Sequence, residues 1–191
     1  MKKSFLKVTT GVLVVSAMSL MFVSCKTAKV VAADSGEVEV ITPCAGLEFN
    51  SNSKALRYSA IGESMDQMTA KKKAMSEARA GLASSLKTLI KGVTDNYVKS
   101  GNYNNKEELM KNYEGVNREV INQEISSSVI CEKTTKTKAG TYKYYVCVEI
   151  NGSDILQQMN NKMTNNEQLK VDYNYEKFKK TFNEEMGKIG Q

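Results

Sequence analysis

The feature that most constrains the fold is a long apolar pattern with helical period in the middle of the chain. Apolar residues recur there at multiples of three or four positions, at Met68, Met75, Leu82, Leu86, Leu89, Val93 and Tyr97. This spacing lines one face of a helix. Five interspersed alanines favour helix and allow close packing: Ala70, Ala74, Ala78, Ala80 and Ala83. We expect one helix that follows a Ser64–Gln67 capping box and runs to about Ser100.

Three stretches with strand character flank this helix. The first, Lys54–Ile61, is expected to end at Gly62, and its apolar face carries Leu56, Tyr58 and Ala60. The other two, Ile125–Thr135 and Thr141–Ile150, are separated by a turn at Lys138–Gly140 and predict a hairpin. The last strand alternates Tyr144, Val146, Val148 and Ile150 with Lys143, Tyr145, Cys147 and Glu149. Glu37–Ile41 predicts a short edge strand that Pro43 ends.

Three further helices complete the prediction. One follows a capping box at Asn105–Glu108, one runs from Asp154 to about Met163, and one from about Asn166 to Lys188. The fold class is therefore α+β. A small antiparallel sheet, made of one strand plus a β-hairpin, packs against long α-helices, and the C-terminus is helical. We expect one domain over residues 44–191.

The N-terminus has the order of a secretory signal, with three early lysines and then an apolar run over Val8–Val23. The run ends in Phe22-Val23-Ser24-Cys25, which resembles the lipobox of bacterial lipoproteins. The resemblance implies a signal peptide over 1–24 and diacylglyceryl attachment to the thiol of Cys25. Two alternatives stay open: ordinary cleavage after Val31-Ala32-Ala33, or a signal that is kept as an anchor.

The lipobox resemblance also implies a partner and a location. The membrane is reached through the N-terminal lipid, and residues 25–43 form the lipidated cysteine and a flexible tether. Lys26 stands where lipoproteins kept in the inner membrane commonly carry an acid. By that analogy we expect the outer membrane, with the domain facing the periplasm.

Composition excludes several kinds of chemistry. The signal holds three of the 27 basic residues and none of the 21 acidic ones, so the mature chain has a net charge of +3. That charge is too small to predict a nucleic-acid partner. No histidine is present, which removes Ser–His and Cys–His nucleophile pairs and the commonest metal ligand. We therefore predict no catalytic residues, no metal site and no cofactor.

Three cysteines remain after Cys25 is lipidated, so at most one intramolecular disulfide can form. A hairpin symmetric about Ala139 would set Cys131 opposite Cys147. The polarity of their neighbours instead suggests opposite faces of the sheet, which cannot be bridged. This favours a Cys44–Cys131 disulfide with Cys147 free.

Other candidate residues have a functional and a structural interpretation. Arg79 contacts a ligand, or it stabilises the packed helix. Lys71-Lys72-Lys73 contacts anionic headgroups or glycan, or it is a solvated surface. Tyr142, Tyr144 and Tyr145 form a binding strip, or they pack across strands. The seven methionines of the mature chain are core residues rather than metal ligands.

Three sets of residues carry a second resemblance: Tyr58–Ser64, then Ala70, Ala74 and Ala78-Arg79-Ala80 with Leu82-Ala83, and finally Gly140–Ile150. Over about residues 54–156, the chain resembles the LPP-twenty type of small membrane-associated lipoprotein. It implies an α+β envelope domain with a structural or assembly role, an envelope protein partner and no catalytic residues. The alternatives are a binding module for a small ligand or cell-wall glycan, and an enzyme that works without histidine.

Overall fold

The computed structural model describes residues 40–101, 103, 105–122 and 127–190. The predicted signal peptide, Cys25 and most of the predicted tether lie outside these residues. The described elements are β1 (Ala55–Ser64), α1 (Gln67–Lys99), α2 (Lys106–Asn122), β2 (Ser128–Lys136), β3 (Tyr142–Asn151), α3 (Gly152–Asn165) and α4 (Tyr175–Gly187), with a short 3-10 helix at Leu47–Phe49. Val40 and Ile41, from the predicted edge strand, are exposed and not in a strand.

The three strands form one antiparallel sheet in the order β1-β3-β2. Strands β2 and β3 make the predicted hairpin, and Gly140 adopts a φ of +92° in its turn, where a residue without a Cβ is favoured. β1 pairs with the other side of β3, so that Leu56 is opposite Ile150 and Ala60 is opposite Val146. The α+β prediction, one strand plus a hairpin packed against helices, is confirmed.

The first half of α1 lies on the sheet at close range. Ala70, Ala74 and Ala78 are fully buried there. A Cβ on Gly62 would lie 2.1 Å from the carbonyl oxygen of Ala70 and 2.5 Å from the backbone nitrogen of Ala74. The prediction that Gly62 ends β1 is wrong, because the strand continues to Ser64 and the glycine instead admits the helix backbone.

The start of α1 also differs from the prediction. Asp66, not Ser64, is the N-cap, and its carboxylate accepts a hydrogen bond from the backbone N–H of Thr69 at 2.7 Å. Hydrogen bonding with Thr69, first through its side chain and then through this backbone N–H, lowers the pKa of Asp66. The predicted end of α1 is correct, since Ser100 is the C-cap.

The second half of α1 packs against α2 and α4, and its apolar side chains are larger. The buried side chains that these three helices contribute include Leu86, Val93, Tyr97, Tyr113, Val120, Phe178 and Phe182. The predicted C-terminal helix from Asn166 is shorter than expected. Residues 166–174 form turns, in which Leu169 is buried and the Asn166 side chain accepts from two backbone N–H groups, and α4 begins only at Tyr175.

Candidate functional site

A disulfide joins Cys44 to Cys131, with 5.6 Å between their Cα atoms. This is the pair that the sequence favours. It links the segment before β1 to the strand β2, 87 positions later in the chain. A cross-link that closes so long a loop stabilises a domain by about 2–5 kcal/mol in the chain-entropy account.

The reason for this pairing differs from the one argued from polarity. Cys131 is the direct cross-strand partner of Cys147, next to a register shift between Val129 and Cys131. Opposite residues of antiparallel strands share a face, so the expectation of opposite faces is wrong. Cys147 is fully buried rather than on a wet face. The symmetry of the hairpin about Ala139 was the sequence signal for the correct register.

The segment that follows Cys44 covers this face of the sheet. The hydroxyl of Ser59 donates to the carbonyl oxygen of Cys44. Arg57 Nε donates to Glu149 Oε2 at 2.6 Å, and its Nη1 donates to the carbonyl oxygen of Glu48 at 2.8 Å. The Cys147 thiol donates to the carbonyl oxygen of Phe49 at 3.8 Å, and burial raises its pKa. Cys147 is therefore a packed, unreactive thiol.

A groove of about 440 Å³ opens beside this covering segment. Its lining comes from the segment, from β1 and from the C-terminus: Ala45, Phe49, Asn50, Ser51, Arg57, Tyr58, Ser59 and Gly190. The charged group in this lining is the Arg57 guanidinium, which is already bound to Glu149 and Glu48. The groove thus offers chiefly backbone, hydroxyl and apolar atoms to a bound molecule.

The opposite end of the sheet carries a cluster of lysines, which we call the hairpin end and define as residues 63–73 and 132–144. Lys143 Nζ lies 2.8 Å from Glu63 Oε1, and Lys73 Nζ donates to the carbonyl oxygen of Glu63 at 3.1 Å. Lys71 Nζ lies 3.5 Å from Glu132 Oε2 and 5.3 Å from the ring centre of Tyr144. These contacts bring the start of α1 beside the hairpin turn.

Two methionines are exposed at the hairpin end. The side chains of Met65 and Met68 are 69% and 59% exposed. The sulfur of Met65 accepts a hydrogen bond from the Thr141 hydroxyl at 3.5 Å. The methyl carbon of Met65 lies 3.6 Å from the position that a Cβ on Gly140 would occupy. These two residues are the exceptions to the expectation that the methionines are core residues.

An aromatic cluster lies at the other end of α1, which we call the aromatic end. The ring of Tyr97 lies 5.3–6.4 Å from those of Tyr103, Tyr113, Tyr173 and Phe178. Burial is the main cause that raises the pKa of Tyr103, Tyr113 and Tyr173. A surface ammonium, Lys177 Nζ, lies 5.4 Å from the centre of the Tyr97 ring.

The polar atoms of the aromatic end are paired within the domain. The Tyr97 hydroxyl accepts from the backbone N–H of Asn174 at 2.8 Å and donates to the carbonyl oxygen of Asp172 at 3.4 Å. Thr94 and Asn117 bond each other at 3.0–3.2 Å. No buried side-chain nitrogen or oxygen in the described part of the chain lacks a partner. This arrangement is that of a core whose buried polar groups bond within the domain.

The other sequence candidates do not come together in one site. Arg79 is exposed on α1. Tyr144 lies on the helix-covered face of β3 with Tyr142, and Tyr145 lies on the opposite face beside Ile61, so the three tyrosines form no single strip. Within residues 40–190 as described, no group of three or more Cys, Asp or Glu side chains is placed to hold a metal ion. No helix described there has the length and hydropathy to cross a membrane.

The charge of the hairpin end is what sequence reasoning missed. Lys71–Lys73 stood out as a run, but Lys133, Lys136, Lys138 and Lys143 lie about 60 positions later and join it only through the fold. The signal that could have found them is the turn at Lys138–Gly140, because strand β3 leads from that turn back along β1, whose end precedes α1.

Comparison with protein-family models, with curated proteins and with solved structures gave no match for this chain.

Proposed function

We propose that this chain is an exported lipoprotein of the cell envelope, anchored through the lipidated Cys25, with a non-enzymatic interaction domain. The signal-like N-terminus and the lipobox resemblance of Phe22–Cys25 support the anchor. Several acyl chains would hold the protein stably, since a single chain binds only weakly.

The Cys44–Cys131 disulfide carries the assignment to an exported compartment. Disulfides persist in the periplasm and outside the cell and are rare in the cytosol. The bond also leaves Cys147 as a buried thiol that does not compete for pairing. An oxidising compartment is therefore where this domain gains its full stability.

The interaction role rests on how the surface is built. The buried polar groups of the core bond one another, whereas exposed lysines lie beside two exposed methionines, Met65 and Met68, at the hairpin end. Such a surface is suited to contact with a partner. The predicted partners are the membrane and an envelope protein.

The anchor is tested by metabolic labelling with an alkyne-bearing palmitate in a Gram-negative host. The wild-type chain should be labelled, should lose its signal before residue 25 and should sediment with membranes. Cys25→Ser should abolish the label and leave the precursor uncut, and Cys147→Ser, a matched change at a buried thiol, should keep the label. Palmitate on the Cys25→Ser chain, or a mature N-terminus after Ala33, would contradict the proposal.

A further inference from the structure

The net charge of the folded domain comes from one end of it. Residues 44–191 hold 22 basic and 18 acidic side chains. The hairpin end contains seven lysines and three acids, a net charge of +4. The remainder contains fifteen of each sign and is neutral. The domain therefore presents a strongly polarised surface to its surroundings.

Several of these lysines are available for a partner. Lys72, Lys136 and Lys138 are exposed, and none of the ion pairs found in the described residues involves them. Lys136 Nζ lies 4.7 Å from the centre of the Tyr142 ring, which holds its ammonium at the surface without neutralising it. The paired lysines keep their charge as well, because contacts with Tyr144 and Glu63 raise the pKa of Lys71 and Lys143.

The exposed methionines indicate the kind of partner. Met65 lies in the bend between β1 and α1, and Met68 lies in the first turn of α1, four positions before Lys72. An acidic protein or glycan would use the charge but would offer little to two unbranched apolar side chains. A phospholipid surface uses both, since phosphates lie at the level of the ammonium groups and acyl carbons lie just below.

The distance to the membrane permits this contact. Cys44 is 19 positions after Cys25, so the intervening chain can extend at most about 65 Å. The full length of α1, 33 residues, is about 50 Å. Either end of the domain is thus within reach of a surface to which Cys25 is bound, and charge selects the hairpin end.

We propose that the hairpin end binds the surface of an anionic phospholipid membrane, with Lys72, Lys136 and Lys138 at the headgroups and Met65 and Met68 in the apolar boundary. The inference rests on the proposed lipid anchor, which supplies the proximity. It adds a specific orientation, with the hairpin turn and the start of α1 facing the bilayer.

Vesicle sedimentation tests this surface without the lipid anchor. The chain from residue 25 with Cys25→Ser keeps the whole compact unit, Val40–Gln191, and the disulfide. We expect it to bind vesicles of one part phosphatidylglycerol to two parts phosphatidylcholine, and to bind phosphatidylcholine alone much more weakly. Changing Lys72, Lys136 and Lys138 together to Gln should weaken binding roughly a hundredfold, about fivefold for each lysine.

A matched triple variant controls for net charge. Lys87, Lys91 and Lys170 are exposed lysines outside the hairpin end, and their replacement by Gln removes the same three charges. This control should weaken binding by less than about threefold, because salt screens most of the attraction between these distant lysines and the vesicle surface. Circular dichroism should give the same melting curve for both triples.

Four outcomes would overturn the inference: no binding to anionic vesicles, equal binding to both vesicle types, equal loss in the two triples, or stronger binding to soluble polyglutamate than to vesicles. The last would assign the surface to an acidic protein. None of these depends on lipidation at Cys25, so failure here and failure of the palmitate label are separate results.

Discussion

The two ends of α1 are built in different ways. Next to the hairpin end, the first half of the helix contributes Ala70, Ala74 and Ala78 to the interface with the sheet, and the exposed lysines and methionines of the hairpin end lie outside that contact. At the aromatic end it contributes Tyr97 to a cluster of rings from α2, α4 and the turns before α4. Met68 and Tyr97, which mark the two ends, are about 43 Å apart along the helix.

This difference assigns separate tasks to the two ends. Small residues let the backbones of α1 and β1 approach closely, which fixes the start of the helix beside the hairpin turn and so gathers the lysines. Large rings fill the space between three helices and bury their own hydroxyls. The close contact beside the hairpin end therefore depends on a residue without a side chain at Gly62. The stability of the aromatic end depends on the phenols of Tyr103, Tyr113 and Tyr173 staying protonated.

The largest effect is expected from a substitution that disrupts the close contact between α1 and β1 at Gly62. In Gly62→Ala the new methyl group would lie 2.1 Å from the Ala70 carbonyl oxygen, and a backbone atom cannot move aside cheaply. We expect the free energy of unfolding to fall by about 3–5 kcal/mol. Urea denaturation under oxidising conditions measures it.

Gly115→Ala is the matched control, because Gly115 is exposed on α2 and an added methyl group there would have nothing within 4 Å. Its higher helix propensity should raise the free energy of unfolding by about 0.5–1 kcal/mol. Equal stability of the two alanine variants would show that α1 does not approach β1 closely at Gly62.

A smaller effect is expected at the aromatic end, where the free energy of unfolding should fall at alkaline pH. The raised pKa of Tyr103, Tyr113 and Tyr173 means that the folded state keeps phenolic protons which the unfolded chain loses near pH 10. Their contribution to stability is full below pH 10 and falls as the pH rises above it. At pH 11 the fully buried Tyr113 should account for about 1.4 kcal/mol of lost stability, and the half-buried Tyr103 and Tyr173 for less, because solvent screens them.

The variant Tyr113→Phe sharpens this prediction. Its free energy of unfolding should fall less steeply between pH 9 and pH 11 than that of the wild type, by about 1.4 kcal/mol over the interval. Tyr175→Phe, which alters an exposed ring on α4, is the control. An unchanged slope in Tyr113→Phe, or the same change in both variants, would contradict burial as the cause.

Much of the fold follows from apolar periodicity in the sequence. The helical pattern through Leu82, Leu86 and Leu89 and the alternation from Tyr144 to Ile150 predict elements that the structure contains. The errors lie where tertiary contact outweighs local preference. Gly62 resembles a strand end because its role depends on a helix that comes later in the chain, and the capping pattern at Ser64 competes with a second acceptor two residues on.

The candidate surface was less predictable than the fold. The favoured disulfide has the right partners, but polarity indicated the wrong face for Cys147, because the segment after Cys44 covers that face and makes it dry. The lysines of the hairpin end come from two separate stretches of sequence, so only the register of β1 with β3 and of β3 with β2 brings them together.

The most direct test of the proposed orientation uses the absence of tryptophan from this chain. A single tryptophan, introduced as Met68→Trp or as Val171→Trp, reports the environment of one end of α1. Val171 is 80% exposed, next to Asp172 at the aromatic end, and is thus a matched control. With anionic vesicles, Met68→Trp should give blue-shifted fluorescence that brominated lipids quench, and Val171→Trp should give neither. A shift at Val171→Trp alone, or at neither position, would contradict the membrane-facing hairpin end.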